Sequence, residues 1–379
     1  MAQPVRGLAC TVRELNKVAV EELTFLPPGP GEVRLKIHAC GLCHSDVHAI
    51  DGRLAQPLPL ILGHEGAGVV EAVGPSLAGK WKVGDKVILT LVMPCNRCPA
   101  CLAGTPSLCP NKQFLLGRVR DDAGTAFMGF VGMGCMAEYA VVSENALIMA
   151  DDDMPLEKAA LVSCGVTTGA GAAINKAKMH PGCSCCVIGC GGVGLSAIQG
   201  ARISGARQII AVDMVPSKLE AARRFGATHT VNAGDVKDVA KEVRRLSGGG
   251  TDYSIEAIGL AKTGMQAVSS VRPGGTAVMV GVATGADALS LPMNGITFTE
   301  KVITGSIMGS SVPSKFVPML CGLYKKGDLL LDELVSRYYP LSQVEAALAD
   351  LASGGNLRGV FVMHDLQHLA GIAPPHSSL

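Results

Sequence analysis

Two patterns of hydrophobic and polar residues divide the chain. In its first third, short apolar stretches are separated by Gly, Pro or Asp, as in residues 32–40, where Val33, Leu35 and Ile37 share one face. Alternation of this kind is typical of half-buried strands. The density of such strands and of turn residues predicts an antiparallel, barrel-like β domain.

From about residue 165 the pattern changes to apolar strands that alternate with helices of about ten to fifteen residues. Residues 208–213 are predicted as a strand, residues 217–225 as a helix and residues 274–282 as a later strand. Such alternation predicts an α/β domain with right-handed βαβ crossovers and a doubly wound parallel sheet. Further along, Ser342 and Glu345 form a sequence pattern typical of a capping box and predict the start of a helix.

Composition narrows the class of protein. The 379 residues are 48% apolar and 17% charged, and the formal net charge is +1. We therefore expect two globular domains and no nucleic-acid or membrane partner. The N-terminus lacks the unbroken apolar stretch of a secretory signal, so we expect a soluble, cytoplasmic protein whose 14 cysteines are reduced.

A glycine-rich loop follows the first strand of the second pattern. The sequence GCGGVG places Gly189, Gly191 and Gly194 in a G-x-G-x-x-G pattern, and Asp213 ends the next strand. Glycines here let a pyrophosphate approach the N–H groups of a helix N-terminus, and the aspartate can accept hydrogen bonds from a ribose. Asp213 would repel a 2′-phosphate, which favours NAD over NADP. A structural βα turn with a surface aspartate is the alternative.

Four cysteines surround this loop. Cys185 and Cys186 are neighbours on a strand and point to opposite faces, so they cannot both bind one tetrahedral metal ion. We expect these two residues, with Cys183 and Cys190, to pack the strand and the loop as small hydrophobic side chains.

A separate cysteine cluster, which we call the cysteine lobe, has the spacing C-x2-C-x2-C-x7-C. Its members are Cys95, Cys98, Cys101 and Cys109. Four thiolates this close in a reducing compartment predict a closed, tetrahedral, structural zinc site. An iron–sulfur cluster is the alternative, because the first three spacings resemble a ferredoxin sequence. The longer last gap and the lack of a second cysteine run favour zinc.

Further residues able to bind metal or move protons are dispersed along the chain. They are Cys43, His44, Ser45, Asp46 and His48 in CGLCHSDVHAIDG, His64 and Glu65 in LGHEGAGVV, and Cys164 in LVSCGVTTG. None would identify a site alone. Together with the cysteine lobe and the glycine loop, these stretches resemble the zinc-dependent alcohol dehydrogenases of the medium-chain dehydrogenase/reductase superfamily over nearly the whole chain.

The resemblance implies a domain organisation. It implies a GroES-like β-barrel catalytic domain with both zinc sites over residues 1–165, a Rossmann NAD-binding domain over residues 166–307 and a return to the catalytic domain over residues 308–379. It also implies a homodimer or homotetramer that forms by extension of the cofactor-domain sheet. Residues 274–282 are the edge that we expect to take part.

The resemblance assigns NAD and two zinc ions to each chain, one structural and one catalytic. Cys43, His64 and Cys164 would bind the catalytic zinc and leave its fourth position for water or substrate. Glu65 would lie behind the metal, either as a transient ligand or as a buried polar residue. Asp46 would orient the imidazole of His64.

Proton transfer and cofactor binding are implied in the same way. Ser45 and His48 match the family's proton relay, in which the alcohol proton leaves through the hydroxyl, the cofactor ribose and the imidazole. The residues that would contact NAD are His44, Thr168, Gly189, Gly191, Gly192, Val193, Gly194, Asp213, Lys218, Val280, Val282 and Arg358.

The substrate pocket would be apolar. The residues that would line it are Leu91, Leu108, Phe114, Phe130 and Ile307. We therefore expect reversible hydride transfer between NAD and a medium-length aliphatic or aromatic primary alcohol or its aldehyde. The alternatives are a glutathione-type formaldehyde dehydrogenase, although Gln113 stands near where that branch has an arginine, and a reductase of activated C=C or C=N bonds. A non-enzymatic binding protein is a further alternative.

Overall fold

The chain forms two compact units. The computed structural model describes residues 2–77, 79–112, 117–283, 285, 287–354 and 356–363. The first unit comprises Met1–Cys164 and Val312–Leu379, and the second comprises Gly165–Ser311. Within the described residues, no helix is both long enough and apolar enough to cross a membrane.

Strands and helices are numbered here in chain order. The strands are β1 (Val5–Glu14), β2 (Lys17–Phe25), β3 (Glu32–Gly41), β4 (Leu60–Ile61), β5 (Glu65–Val73), β6 (Lys86–Leu89), β7 (Val119–Arg120), β8 (Ala126–Gly129), β9 (Tyr139–Ser143), β10 (Leu147–Met149), β11 (Ser184–Ile188), β12 (Gln208–Asp213), β13 (His229–Asn232), β14 (Thr251–Glu256), β15 (Val271–Met279), β16 (Val302–Gly305), β17 (Val335–Tyr339) and β18 (Arg358–Val362). The helices are α1 (His44–Ile50), α2 (Pro99–Leu102), α3 (Leu156–Leu161), α4 (Thr167–Gly171), α5 (Gly192–Ile203), α6 (Pro216–Phe225), α7 (Val239–Ser247), α8 (Ala261–Ser270), α9 (Met293–Thr297), α10 (Pro313–Lys325) and α11 (Val344–Ser353).

The first unit contains a closed barrel and a second sheet, which confirms the predicted barrel-like β domain. The barrel has the strand order β1-β2-β7-β8-β4, and its pairs are antiparallel except for β4 with β8. The second sheet has the order β10-β6-β5-β3-β18-β17, with β9 also paired to β3. Its core includes Val33, Leu35 and Ile37, the alternating residues of β3.

Strand β3 is more deeply buried than its alternation predicts. Arg34 lies between two core residues, yet only 1% of it is exposed. Its guanidinium forms an ion pair with Glu71, with 2.5 Å between Nε and Oε2, and donates to the carbonyl oxygens of Gln3 and Phe25. Because those partners satisfy the guanidinium, a charged side chain can occupy the second face of the strand.

The second unit is a six-stranded parallel sheet, as predicted for a doubly wound fold. Its strand order is β13-β12-β11-β14-β15-β16. The chain runs outward from β11 to β13 and then returns to β14, so the strand order reverses between β11 and β14. A crevice at the carboxyl ends of the strands at such a reversal is the usual ligand site of this architecture.

Two local predictions are wrong. Residues 274–282 do not form the sheet edge, because β15 lies between β14 and β16 and the short strand Val302–Gly305 takes the edge position. The capping box of Ser342 and Glu345 does not form either, since a 3-10 turn occupies Leu341–Gln343 and α11 begins at Val344.

The cysteines around the glycine loop pack as predicted. Cys183, Cys185, Cys186 and Cys190 are each at most 1% exposed. Burial raises the pKa of Cys186 to about 12, which keeps the thiol protonated and unreactive.

Candidate active site

Three buried side chains able to bind metal converge where α1 begins. They are Cys43, His64 and Glu65, and one potential ligand atom from each lies within 4.8 Å of the others. Strands β3 and β5 pair with Gly41 opposite Glu65. This register brings Cys43, just after β3, next to His64, just before β5.

Cys164 completes the predicted set of ligands. It lies in a π-helical turn, Val162–Val166, a rare conformation that is frequently found at functional sites. The neighbouring Ser163 hydroxyl donates to the carbonyl oxygen of His64 at 3.3 Å. A hydrogen bond from Cys164 is the main reason that the pKa of Cys43 lies well below its usual value, against the effect of burial. The structure therefore brings Cys43, His64 and Cys164 together within the first unit.

Asp46 organises this cluster from a fully buried position. Its carboxylate accepts hydrogen bonds from the backbone N–H groups of Cys43, at 3.1 Å, and Gly63, at 3.0 Å. Its Oδ1 also lies 3.3 Å from Nδ1 of His64. One ring nitrogen of the imidazole is thereby paired with Asp46, as is usual for a metal-binding histidine.

The other nitrogen of His64 is a test of whether the cluster suits a metal ion. Nε2 is buried and makes no well-formed hydrogen bond within the described residues. Burial lowers the pKa of His64, but Asp46 and Cys43 outweigh it and raise the pKa to about 10. The same negative surroundings would stabilise a metal cation at this nitrogen. An imidazole with two cysteine sulfurs is a typical donor set of catalytic zinc.

Glu65 and Arg358 form a buried ion pair beside the cluster. Glu65 is fully buried and the Arg358 side chain is 7% exposed. Arg358 begins β18, which pairs with β3 so that Val360 lies opposite Gly41. The structure thus places Arg358 against Glu65, and its predicted contact with the cofactor phosphates stays a prediction.

The predicted relay residues lie on α1. Ser45 is half-buried, and its hydroxyl oxygen lies 3.7 Å from the Cys43 sulfur. His48 lies in the last turn of the helix and is also half-buried, whereas His44 is exposed. Burial, followed by the charge of Arg53, lowers the pKa of His48, so that its imidazole is neutral at neutral pH and able to accept a proton.

The cysteine lobe forms a second candidate metal site. The sulfurs of Cys95, Cys98, Cys101 and Cys109 all lie within 4.8 Å of one another. A hydrogen bond from Asn111 is the main reason that the pKa of Cys95 falls to about 6. Four converging thiols fit a structural zinc ion and leave no ligand position for substrate.

The glycine loop of the second unit has the geometry of a dinucleotide site. Helix α5 begins at Gly192, and apart from Gly191 and its two neighbours in the chain, no heavy atom of the described residues lies within 4 Å of where a Cβ on Gly191 would stand. A Cβ on Gly194 would instead lie 1.7 Å from the carbonyl oxygen of Gly189, so only glycine fits there. The space at Gly191 leaves the helix N-terminus open to a phosphate.

Asp213 holds this loop in shape. Its Oδ2 accepts a hydrogen bond from the backbone N–H of Cys190 at 2.7 Å, and its Oδ1 accepts from those of Met214 and Val215 at 2.8 and 3.0 Å. The aspartate is half-buried at the end of β12, next to the loop, as the sequence pattern predicts.

Comparisons with known proteins agree with this geometry. The model of the alcohol dehydrogenase GroES-like domain matches residues 29–152, and that of the zinc-binding dehydrogenase domain matches residues 192–321. The NDMA-dependent alcohol dehydrogenase of Amycolatopsis methanolica is 38% identical over 357 residues, which cover 91% of this chain and 95% of that protein. The chain belongs to the zinc-type alcohol dehydrogenases of the medium-chain dehydrogenase/reductase superfamily.

Solved structures of this dehydrogenase family extend the likeness to the whole fold. The alcohol dehydrogenase zinc-binding domain protein from Burkholderia ambifaria is 36% identical to this chain, with a TM-score of 0.91. The superposition covers 96% of this chain and 100% of the Burkholderia chain. The benzyl alcohol dehydrogenase from Acinetobacter calcoaceticus is 32% identical to this chain, with a TM-score of 0.87. That superposition covers 95% of this chain and 100% of the Acinetobacter chain.

Of the predicted substrate-pocket residues of this dehydrogenase, Phe130 contacts a proposed zinc ligand, and the other described ones lie in different parts of the fold. Phe130 is buried and packs edge-on against the His64 ring, with 5.2 Å between ring centroids. Leu91 packs against the core of the first unit, and Leu108 is 63% exposed beside the cysteine lobe. Ile307 belongs to the second unit and is 46% exposed, and Phe114 lies outside the described residues.

The remaining predicted cofactor residues lie in the second unit. Thr168 donates a hydrogen bond to the sulfur of Met308 at 3.5 Å. Lys218 lies on α6 and Val193 on α5, and Val280 and Val282 follow β15. Val282 is 52% exposed.

Two residues of this unit were not predicted from the sequence: Met308, whose sulfur accepts the hydrogen bond from Thr168, and Glu256, a buried acid at the carboxyl end of β14. The signal that could have identified Glu256 is its place at the end of a predicted strand of the parallel sheet.

Proposed function

We propose that this chain catalyses reversible hydride transfer between NAD and a medium-length aliphatic or aromatic primary alcohol, with one catalytic and one structural zinc ion. The observation that carries the proposal is the meeting of three donors in the first unit. Ligand atoms of Cys43 and His64 lie within 4.8 Å of each other, Cys164 forms a hydrogen bond with Cys43, and the buried Nε2 of His64 makes no well-formed hydrogen bond among the described residues. Structural packing alone does not explain a buried imidazole nitrogen without a partner.

The metal and the cofactor would supply the reactivity that side chains lack. Zinc held by Cys43, His64 and Cys164 would polarise the alcohol oxygen as a Lewis acid, and NAD would serve as hydride acceptor. Asp46 keeps the imidazole of His64 in the tautomer and orientation that present Nε2 to a metal. The side chains of the protein then position the substrate and remove its proton.

Ser45 and His48 are proposed to carry the proton of the alcohol. The Ser45 hydroxyl lies next to the ligand cluster, where it can accept a proton from the substrate oxygen as it gives up its own. His48, which is half-buried and neutral, is suited to take that proton and release it to solvent.

Backbone groups and Asp213 would bind the dinucleotide. The N-terminus of α5 offers N–H groups to the pyrophosphate across the open position at Gly191. Asp213 would accept from the adenosine ribose and repel a 2′-phosphate, which supports NAD over NADP.

The substrate class rests on the apolar residues near the ligand cluster. Phe130 covers one side of the His64 ring with an apolar surface. The similar benzyl alcohol dehydrogenase supports an aromatic alcohol among the substrates. Chain length would be discriminated weakly, at about 1–3 kcal/mol per methylene.

We also propose a homodimer or homotetramer in the cytoplasm. Among the described residues, no strand pairs with the outer side of β16, and Val302 on it is 50% exposed. Met293 and Phe298 nearby in sequence are more than 80% exposed. An unprotected apolar edge of this kind favours pairing with a second copy. A reducing compartment suits a chain whose proposed metal ligands are mainly thiols.

The test combines metal analysis with an activity panel. Purified protein is expected to hold two zinc ions per chain and to produce NADH, measured at 340 nm, from primary alcohols between ethanol and octanol and from benzyl alcohol. Parallel reactions with NDMA added as a second acceptor test whether this chain shares the NDMA dependence for which the Amycolatopsis relative is named. The variant Cys164→Ala should lose activity and one zinc ion, whereas Cys186→Ala, which removes another buried thiol, should retain both. Zinc-loaded protein that oxidises none of these alcohols with either acceptor would contradict the proposal.

A further inference from the structure

Glu256 occupies the point at which the strand order of the parallel sheet reverses. It is the last residue of β14, and its register partner on β11 is Ile188, the residue before Gly189 of the glycine loop. The backbone N–H of Ala257 donates to the Ile188 carbonyl oxygen at 2.9 Å and extends this pairing by one residue. Only 2% of Glu256 is exposed. A buried acid thus lies at the carboxyl ends of the strands, at the point of reversal where a doubly wound sheet binds its ligand.

The Glu256 carboxylate holds the loop that follows it. Its Oε1 accepts hydrogen bonds from the backbone N–H groups of Ile258, at 2.9 Å, and Gly259, at 2.8 Å, and from the Thr263 hydroxyl at 2.8 Å. Bonds to a carboxylate are stronger than bonds between neutral groups. Without this acceptor, a buried N–H would lose its partner, which is costly. Residues 257–260 are therefore held in one conformation.

The main chain of Glu256 holds a second loop. Its carbonyl oxygen accepts from the N–H groups of Val280, at 2.9 Å, and Gly281, at 3.1 Å. A Cβ on Gly259 would lie 2.5 Å from the carbonyl oxygen of Val282, so the two loops are in backbone contact. Loop 280–282 contains Val280 and Val282, which are predicted to contact NAD.

The loop after Glu256 also contacts the glycine loop. A Cβ on Gly189 would lie 2.6 Å from Cγ1 of Ile258. One carboxylate therefore sets a loop that contacts both the glycine loop, which is the proposed pyrophosphate site, and residues 280–282, which are also predicted to contact NAD.

We propose that Glu256 is a positioning residue for the dinucleotide. Its side chain fixes residues 257–260, and through them residues 280–282 and the glycine loop, in the arrangement that accepts NAD. It acts through these backbones and is not itself a catalytic residue. This inference rests on the proposed function, since it takes NAD as the ligand that binds at the carboxyl ends of these strands.

The same strand carries a matched control at its opposite end. Asp252 lies near the start of β14, and its carboxylate accepts from the Ser184 backbone N–H, at 2.7 Å, the Ser184 hydroxyl, at 2.8 Å, and Nε of Arg272, at 2.7 Å. The side chains of Glu256 and Asp252 therefore each accept three hydrogen bonds, at opposite ends of the same strand. Of these two residues, only Glu256 lies at the carboxyl end of the strand, where the ligand is expected.

The experiment measures NADH affinity and thermal stability for the full-length zinc-loaded protein and four variants. NADH binding is followed by the change in its fluorescence, independently of turnover, and stability is followed as Tm. Glu256→Ala is expected to weaken NADH binding about tenfold. Glu256→Gln retains an acceptor oxygen, and Thr263→Val removes one donor of three, so both should fall between wild type and Glu256→Ala. Asp252→Ala is expected to lower Tm and to leave NADH affinity within about twofold of wild type.

Two results would overturn the positioning role while wild-type protein still binds NADH. One is an unchanged affinity in folded Glu256→Ala, and the other is an equal loss in Glu256→Ala and Asp252→Ala. If Glu256→Ala does not fold, the NADH affinities of Glu256→Gln and Thr263→Val are compared with that of Asp252→Ala instead. An unchanged affinity in both, or a loss equal to that of Asp252→Ala, would likewise overturn the positioning role. Wild-type protein that binds no NADH would reject the proposed function itself, and the positioning role with it.

Discussion

The carboxylate of Asp46 and the imidazole of His64 are paired in the buried interior of the first unit, with 3.3 Å between Oδ1 and Nδ1. Asp46 also accepts hydrogen bonds from the backbone N–H groups of Cys43 and Gly63. Cys43 is itself a proposed zinc ligand, and Gly63 directly precedes the proposed ligand His64. A single side chain thus orients two of the three proposed zinc ligands.

Removal of this charge should weaken the catalytic zinc site. Asp46→Asn is expected to lower zinc affinity by about 10- to 100-fold, because an amide stabilises the imidazole and its bound cation less than a carboxylate does. Competition with a chelator while zinc release is measured checks this. Asp350→Asn is the control, since Asp350 accepts a hydrogen bond from Tyr339 at 2.6 Å elsewhere in the same unit. Equal zinc release from both variants would show that Asp46 has no special role.

The pH dependence of turnover should follow the charges around His48. Burial and the charge of Arg53 lower its pKa, whereas Asp51 raises it. The relay needs a neutral imidazole, so turnover should fall as the pH falls through that pKa. Arg53→Gln raises the pKa and should move this acid limb to higher pH by about 0.5 unit, and Asp51→Asn should move it to lower pH.

Profiles of kcat against pH for both variants and for His48→Gln test this relay. His48→Gln should abolish the limb, because glutamine does not titrate. Shifts of Arg53→Gln and Asp51→Asn in the same direction would contradict the electrostatic explanation.

Two glycines of the cofactor loop should respond differently to an added methyl group. Gly191→Ala has room for its Cβ and a backbone φ of −78°, so we expect an unchanged Tm and a loss of NADH affinity of about tenfold or more, since the methyl would occupy the phosphate position. Gly194→Ala would clash with the Gly189 carbonyl oxygen and should lower Tm by about 5 °C or more.

Differential scanning fluorimetry and NADH titration separate the two effects. Gly322→Ala, on α10, also has open space around its Cβ and serves as the control, with stability unchanged or raised by up to about 1 kcal/mol. A Gly191→Ala protein with wild-type NADH affinity would show that the phosphate does not approach this loop.

The exposed edge strand should control the oligomeric state. Val302→Lys places a charge on β16 and is expected to shift the protein toward monomer, because a buried, unpaired ammonium group opposes edge pairing. Sedimentation equilibrium measures the shift. Met149→Lys is the control, since Met149 is also 50% exposed but lies on β10 of the other unit. Identical masses for wild type and Val302→Lys would place any interface elsewhere.

Depth of burial was harder to predict from the sequence than the type of element. The alternation in β3 gives a strand, but it does not reveal that Arg34 is buried with Glu71 as its partner. In the same way, the short strand β16 carries too few residues to show a pattern, which is why β15 was wrongly expected at the edge. Both errors arise because partners distant in sequence decide what covers a side chain or a strand.

The sequence by itself determined the two domain types, the glycine loop with Asp213, and the cysteine lobe, because each depends on residues close together in the chain. Strand periodicity, turn residues and ligand spacing are local properties. Only the tertiary structure decided which dispersed residues meet. The pairing of β3 with β5 and β18 brings Cys43, Glu65 and Arg358 together, and the reversal of strand order places Glu256 beside the glycine loop. These contacts depend on strand register, which is set by the packing of the whole sheet.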